Sequence, residues 1–203
     1  MDVQKTGSLL LLSIISSFAL ADETDSRFSR ETIAVIKNGI DVRQVPGRPP
    51  ITVAIDIDAG TGLAYRAHRQ GLEDRVMLID EPARRGGTNT GPAPLTYFVA
   101  GLGSCLLNQY IRLAVAWDLD LDFTGATVKG GFSRDVGGSF ESFTQEILAD
   151  GSASKDDIRK LTDSAGDYCY THATLRQAVP MTTILQLNGT EVARIETRPE
   201  DFR

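Results

Sequence analysis

The sequence is poor in the residues that usually carry metal or disulfide chemistry. Its 203 residues include only two cysteines, two histidines and one tryptophan. Two cysteines exclude a framework of several disulfides, a zinc site with four thiolate ligands and an iron–sulfur cube held by one chain. The chemistry open to the protein is therefore narrow, and its first candidates are Cys105, Cys169, His68 and His172.

Positive charge is also scarce. Lysine and arginine together number 21 against 27 acidic residues, which gives a net charge of −6. Because the neutralisation of phosphates needs a basic face, this composition predicts no nucleic-acid partner. Hydrophobic residues at 41% and charged residues at 24% are ordinary values, so a disordered chain and a polytopic membrane protein are excluded. The length predicts one domain, at most with a long arm.

Residues 1–26 are predicted to be a signal-like leader. They hold one lysine near the start, a short apolar run and small residues before Asp22, which is typical of a secretory signal. The run is shorter than the about 20 apolar residues that a bilayer requires, so no integral membrane span is predicted. A misplaced start, or an apolar helix packed on the domain, are the alternatives. The protein is expected in the periplasm if the 1–21 leader is cleaved and in the cytoplasm otherwise.

Residues 27–50 are predicted to form an N-terminal helix and a connector, and residues 51–203 the main domain. The helix spans residues 29–37 and is expected to end at Asn38-Gly39. Three strands of an antiparallel meander follow, because apolar and polar residues alternate between turn signals. They cover residues 51–58, 63–69 and 75–80.

A loop rich in glycine, proline and threonine then leads into the most apolar helix of the chain. No Gly-Lys-Ser/Thr follows the loop, and its prolines lack backbone donors, so a phosphate cradle is not predicted. Pro94 suits the first turn of a helix that extends to about Trp117. That helix is apolar on all sides as far as Arg112, which predicts a place in the middle of the fold. Cys105 lies halfway along it.

The last third of the chain predicts two hairpins and one helix. Ser154 and Asp157 form a capping-box-like start, and Gly166 is expected to end that helix shortly before Cys169. Asn188-Gly189 is the strongest short hairpin signal, so the sequon that it opens is explained without a glycan. The strands cover residues 126–132 and 140–148, around Gly137-Gly138, and then residues 181–187 and 191–195.

The two cysteines allow three interpretations. They are small buried hydrophobes, a structural disulfide, or a reactive thiol with a resolving partner. A thiolate beside an arginine is a good nucleophile and can attack a peroxide to give a sulfenic acid, which a second cysteine condenses into a disulfide. A zinc site would need Cys169 and His172 together with His68 and Cys105, and nothing in the sequence pairs them. A serine hydrolase is disfavoured because Ser104 lies inside a helix.

The loop over residues 86–94, the segment 102–105 around the first cysteine and the segment that begins at Cys169 form a set of linked motifs. Together they resemble the OsmC/Ohr family of thiol peroxidases. In that family a Gly-Pro-x-Pro loop leads into a long central helix that carries the peroxidatic cysteine. The segment that begins at Cys169 and continues to Val179-Pro180 is similar to the family's second-cysteine segment, which usually reads Cys-Pro-Val-Ser. The resemblance covers roughly residues 50–195, and 38–42 is similar to the start of longer members. The segments that match the first-cysteine signature are Asp80-Glu81-Pro82, residues 86–94 and residues 102–105.

The resemblance implies a fold, an assembly and an activity. The fold would be α+β, with antiparallel sheets wrapped around long central helices in an intertwined homodimer. The activity would be the reduction of small organic hydroperoxides in a bacterial response to oxidative stress. Cys105 would attack, Cys169 would resolve the sulfenic acid into an intrachain disulfide, and a dithiol or lipoyl-type compound would reduce it. No flavin, haem or metal is implied.

Two departures from the family pattern bear on the activity. Better-studied members place a glutamate ten residues before the first cysteine, where it pairs with an arginine that polarises the thiol; here that position is Leu95. Tyr170 replaces the usual proline after the second cysteine. The missing glutamate favours an alternative, a non-catalytic binding protein that holds a lipophilic small molecule in the apolar interface cleft.

The arginine that would stabilise a Cys105 thiolate is not fixed by the sequence. Arg84 and Arg85 are the nearest basic residues upstream, and Arg66 and Arg69 are further candidates. Each could equally be a solvated loop or strand charge. His172 could provide a hydrogen bond near the thiols.

Overall fold

The computed structural model describes residues 28–43, 46–47, 49–135 and 139–202. The leader predicted over residues 1–26 and the predicted Gly137-Gly138 turn lie outside the described residues. The described chain forms two sheets and a set of helices, which confirms the α+β class.

The first sheet is the predicted antiparallel meander. Its strands are β1 (Ile55–Ala59), β2 (Tyr65–Arg69) and β3 (Val76–Ile79), hydrogen-bonded in chain order. β1 begins four residues later than the alternation predicts, because β2 ends at Arg69, directly opposite Ile55.

A buried carboxylate organises the loop between β3 and the next helix. Asp80 accepts hydrogen bonds from the N–H and hydroxyl groups of Thr88 and Thr90, at 2.7 to 3.0 Å. These donors hold the pKa of Asp80 well below its usual range. A Cβ on Gly87 would lie 1.8 Å from the Glu81 carbonyl oxygen. Close backbone packing therefore accounts for glycine at that position. The same packing accounts for the loop's path around Asp80.

The first helix, α1 (Arg30–Arg43), is longer than predicted. It continues through Asn38-Gly39, so the expected end there is wrong. Ile40 is buried in the core, and a Cβ on Gly39 would lie 2.7 Å from Nη2 of Arg112 on the following helix. Burial of Ile40 favours the helix by more than the about 1 kcal/mol that a glycine costs inside it.

The second helix, α2 (Pro94–Ala116), has the predicted bounds to within a residue. Its central and C-terminal residues pack against α1 and the second sheet, and the largest of them are Leu102, Leu106, Tyr110 and Leu113. Burial on all sides is wrong for its first turns, where Leu95 is 42% exposed and Phe98 is 44% exposed. Of the helices that the structure describes, α2 alone has the length and apolar composition of a membrane span; its packing is that of a domain core helix.

The second sheet has four strands, β4 (Leu121–Phe132), β5 (Phe140–Gly151), β6 (Met181–Leu187) and β7 (Thr190–Thr197), in that order. It is mixed rather than wholly antiparallel as expected, because β5 and β6 are parallel. The chain between them passes through helices α3 (Lys155–Tyr168) and α4 (Tyr170–Leu175). Such a helical crossover returns the chain in the same direction.

The predicted start of α3 is confirmed, and its predicted end is wrong. Ser154 caps α3 by accepting a hydrogen bond from the Asp157 N–H at 3.1 Å. Gly166 does not end the helix, because it is buried and the His172 imidazole packs against it. The Asn188-Gly189 turn is confirmed, with φ of 50° and 74°.

Candidate active site

The central helix and one helix junction bring the cysteines together. Cys105 lies in the middle of α2, and Cys169 occupies the single residue between α3 and α4. The Cys169 N–H donates to the Ala165 carbonyl at 3.0 Å, and the Cys169 carbonyl accepts from the Ala173 N–H at 2.8 Å. Its Sγ accepts from the His172 N–H at 3.5 Å. The end of one helix and the start of the next therefore fix the position of Cys169.

The two sulfur atoms are in contact. The Sγ atoms of Cys105 and Cys169 are 3.2 Å apart although the residues are 64 positions apart in sequence. Both cysteines are free; Cys169 is fully buried and Cys105 is partly exposed. A disulfide requires the sulfurs to approach by only about 1.2 Å more.

The pKa values of the two thiols are shifted in opposite directions. The Cys169 thiol donates to Cys105, and this hydrogen bond is the largest cause that lowers the pKa of Cys105 to about 5. Donors on α4 add to the effect, and burial opposes it. The same hydrogen bond, together with burial, raises the pKa of Cys169. At neutral pH the arrangement is a Cys105 thiolate beside a Cys169 thiol, and the thiolate is the nucleophilic form.

The arginines proposed from the sequence do not meet the thiolate within one chain. Arg84 and Arg85 lie in an exposed 3₁₀ turn, where Arg85 is 3.7 Å from a Glu81 carboxylate oxygen. Neither forms a hydrogen bond with Cys105 in the described part of the chain, and no arginine is among the main causes of the lowered Cys105 pKa. Arg66 and Arg69 are exposed on β2. A thiolate-stabilising role for Arg84 or Arg85 stays a prediction.

The two histidines are separated and serve different neighbours. His172 is buried, and its Nδ1 lies 3.1 Å from Nε2 of Gln145 on β5. Burial first, and the charge of Arg176 second, lower the pKa of His172 to about 4, so the ring is neutral at pH 7. His68 is on β2, with Nε2 3.7 Å from Asp56. Among the described residues, no group of three or more potential ligands could hold a metal ion, so the zinc set is not assembled.

Sequence reasoning missed Thr171. Its Oγ1 is 3.2 Å from Cys169 Sγ, and its hydroxyl and N–H are among the groups that lower the pKa of Cys105. A threonine two residues after a cysteine carries no such signal by itself. Only knowledge of where α4 begins would have indicated that Thr171 lies beside the sulfur atoms.

An apolar groove of about 570 Å³ runs beside the cysteine helix, between α2 and β4. Leu95, at the position where the family pattern has glutamate, lies in its wall, so the departure gives this groove an apolar end. α2 and β4 come very close here, since a Cβ on Gly103 would lie 2.4 Å from a Val128 methyl carbon. Further lining residues are Val99, Ser104, Leu107 and Ala126.

Comparisons with known proteins agree on the fold. Residues 87–184 match the family model described as OsmC-like protein. The structure is similar to an OsmC like protein from Mycoplasma pneumoniae, with a TM-score of 0.59 and 17% identity, over 68% of this chain and 99% of that one. No curated protein matches the sequence.

Two proteins with names that state a role share the same fold. The first is an organic hydroperoxide resistance protein from Elizabethkingia anophelis, with a TM-score of 0.55 and 16% identity, over 70% of this chain and 100% of that one. The second, from Legionella pneumophila, is named an organic hydroperoxide resistance protein OsmC and has a TM-score of 0.51 and 16% identity, over 69% and 98%. Residues 87–184 thus match an OsmC-like domain, and the structure shares its fold with proteins of the OsmC/Ohr family.

Proposed function

We propose that the protein is a thiol peroxidase that reduces small organic hydroperoxides with two cysteines of one chain. The observation that carries the proposal is the 3.2 Å contact between a partly exposed Cys105 and a fully buried Cys169. The exposed sulfur is the one that an oxidant reaches. The buried sulfur is already at the distance needed to close a disulfide after a small movement.

The reaction follows from this order of exposure. The Cys105 thiolate attacks one peroxide oxygen of the hydroperoxide; an S–O bond forms, the O–O bond breaks, and the alkoxide takes a proton and leaves as the alcohol. Cys169, as thiolate, then attacks the sulfur of the Cys105 sulfenic acid. Hydroxide leaves, takes a proton and becomes water as the disulfide forms. An external dithiol or lipoyl-type reductant is oxidised to its own disulfide and restores both thiols.

Two further observations support a substrate with an organic substituent. The apolar groove along α2 passes Ser104, next to Cys105, and offers an apolar chain a place to lie. The fold is shared with proteins named for resistance to organic hydroperoxides. The alternative, a non-catalytic binding protein for a lipophilic ligand, would use the same groove but would leave the sulfur contact without a role.

The proposed assembly is a homodimer. The first sheet presents an apolar face that the described residues do not cover, since Ile55 is exposed on it beside Ile57, which is 62% exposed. A second copy that covers this face would bury those side chains and, as the resemblance implies, would bring the site near the subunit interface.

The test is the consumption of an alkyl hydroperoxide by the reduced protein with dithiothreitol as reductant. The wild type should turn over, and Cys105→Ser should not. Once dithiothreitol is removed, Cys169→Ser should react a single time and accumulate a sulfenic acid that dimedone labels, because the resolving step is missing. Full activity in Cys105→Ser would contradict the proposal, and so would the absence of an intrachain disulfide in the wild type after one equivalent of the hydroperoxide.

A further inference from the structure

The hydroxyl of Thr171 lies against the sulfur of the buried cysteine. Its Oγ1 is 3.2 Å from Cys169 Sγ, and the His172 N–H donates to the same sulfur at 3.5 Å. A thiol has a single hydrogen, and that of Cys169 is donated to Cys105. Cys169 Sγ is therefore the acceptor in its contact with Thr171, and the threonine hydroxyl is the donor.

We propose that Thr171 is a catalytic residue of the resolving step, in which its hydroxyl stabilises the Cys169 thiolate that attacks the oxidised Cys105. The inference rests on the proposed function for the oxidant, a hydroperoxide. The step itself begins in the same way whichever reagent has oxidised Cys105.

The Cys169 thiolate has to form inside the core, where burial opposes its charge. In the reduced pair, the hydrogen bond to Cys105 and burial raise the pKa of Cys169, and the Thr171 hydroxyl and the His172 N–H act against them. Oxidation of Cys105 removes the neighbouring thiolate, which is the largest of these causes. The two donors then oppose burial alone, so Cys169 ionises more readily after Cys105 has reacted than before.

Both donors are in place before the reaction starts. Thr171 and His172 are the second and third residues of α4, whose first turn is closed by the 2.8 Å hydrogen bond to the Cys169 carbonyl. The His172 ring is held to β5 by Gln145, which is fully buried. α4 therefore need not rearrange as charge develops on Cys169, and donors that are already oriented stabilise such a charge best.

The step balances without a further reactant. The Cys169 thiolate attacks the sulfur of the Cys105 sulfenic acid, an S–S bond forms and the S–O bond breaks. Hydroxide leaves with the electron pair of that bond and takes the proton that Cys169 released, which gives water. Thr171 donates a hydrogen bond throughout and keeps its own proton.

The resolving step can be observed without a hydroperoxide. One equivalent of dithiodipyridine is added to the reduced protein, and the released thiopyridone is followed by stopped-flow absorbance. The partly exposed Cys105 reacts first, which releases one thiopyridone and leaves a mixed disulfide. Cys169 then attacks the Cys105 sulfur and releases the second thiopyridone, so the second phase measures the resolving step.

Thr171→Val removes the hydroxyl with little change of shape, and Thr171→Ser keeps it. At pH 8 the first phase should be equal in all three proteins, because the pKa of Cys105 is about 5. Thr171→Val should slow the second phase about fivefold, since its Cys169 thiolate is roughly tenfold scarcer and somewhat more nucleophilic. Its second-phase rate should also rise at higher pH than in the wild type. Thr171→Ser should keep the wild-type rate.

An unchanged second phase in Thr171→Val would overturn the inference, and so would equal slowing in Thr171→Val and Thr171→Ser. A wild type without a second phase would overturn it as well. Thr171→Ala also removes the hydroxyl and decides the matter if Thr171→Val does not fold. A protein with the expected second phases but no turnover of an alkyl hydroperoxide would contradict the proposed function and leave this inference standing, and the reverse result would do the opposite.

Discussion

The two sheets differ in how much of their apolar surface one chain can bury. In the second sheet, buried and partly buried residues alternate along β5 and β6, and Leu185 is fully buried between the strands and the helices. In the first sheet, Ala67 is the single buried strand residue and Ile57, directly opposite it, is 62% exposed. The helices and second sheet thus complete a core within the chain. The first sheet presents a face that the described residues leave uncovered, which is the face of the proposed dimer.

The register of the strands shows which face of the first sheet carries the exposed Ile57. Ile57, Ala67 and Met77 are paired across the three strands, so their side chains lie on one face. Leu78 pairs with Arg66 on the opposite face and is 50% exposed. A dimer that uses the Ile57 face should therefore be insensitive to changes at Leu78.

The largest effect is expected from a charge on that face. Ile57→Asp would place one carboxylate from each subunit in an apolar interface, which should weaken dimerisation about 100-fold or more. Leu78→Asp makes the same kind of change on the other face and should leave the dimer intact. Light scattering over a concentration series measures both. A monomeric wild type, or equal weakening of the dimer by the two variants, would contradict the proposed dimer interface.

A truncation within the core should have the next largest effect. Leu185→Ala removes a fully buried side chain and should lower the free energy of unfolding by about 3 kcal/mol. Leu78→Ala makes the same truncation on the first sheet and should cost less than about 1 kcal/mol, because half of that side chain is already in water. Urea denaturation gives both values. Similar losses would show that the two sheets are equally important to the core.

The smallest expected effect is a pH dependence confined to the second region. Because the pKa of His172 is about 4 in the folded chain against an ordinary 6.5, the unfolded chain binds a proton between these values that the folded chain does not. Stability should therefore fall as pH decreases, by about 2 kcal/mol from pH 8 to pH 5 on account of this residue.

His172→Asn keeps an acceptor for Gln145 and should remove that part of the pH dependence. Urea denaturation of both proteins at pH 8, 6.5 and 5 isolates the contribution as a difference. An identical pH dependence in the variant would show that His172 is not the buried neutral group described above.

Much of the fold was predictable where local chemistry decides it. Pro94 at the start of α2, the Ser154 cap and the Asn188-Gly189 turn each depend on a few neighbouring residues, and all three are confirmed. The helix ends expected at Gly39 and Gly166 are wrong because tertiary contacts with Arg112 and His172 override the local preference for a break. The parallel pairing of β5 with β6 depends on the intervening helices in the same way.

The sequence named the two cysteines as candidate site residues but did not predict their arrangement. The segments around Cys105 and Cys169 carry the resemblance, yet a spacing of 64 residues says nothing about a 3.2 Å contact. The sequence offered four arginines as thiolate partners, and the donor that contacts Cys105 in this chain is instead the Cys169 thiol. That contact depends on the packing of α2 against the α3–α4 junction, so composition and spacing could not reveal it.

The complete burial of Cys169 also determines which sulfur of a Cys105–Cys169 disulfide a reductant can attack. In a disulfide formed between these cysteines, Cys169 would stay enclosed by α3, α4 and the core, while Cys105 is partly exposed. An incoming dithiol can therefore reach only Cys105, so the mixed disulfide with the reductant forms there and Cys169 is the leaving group. Electrons enter the pair through the same sulfur that meets the oxidant, and a single opening serves both halves of the cycle.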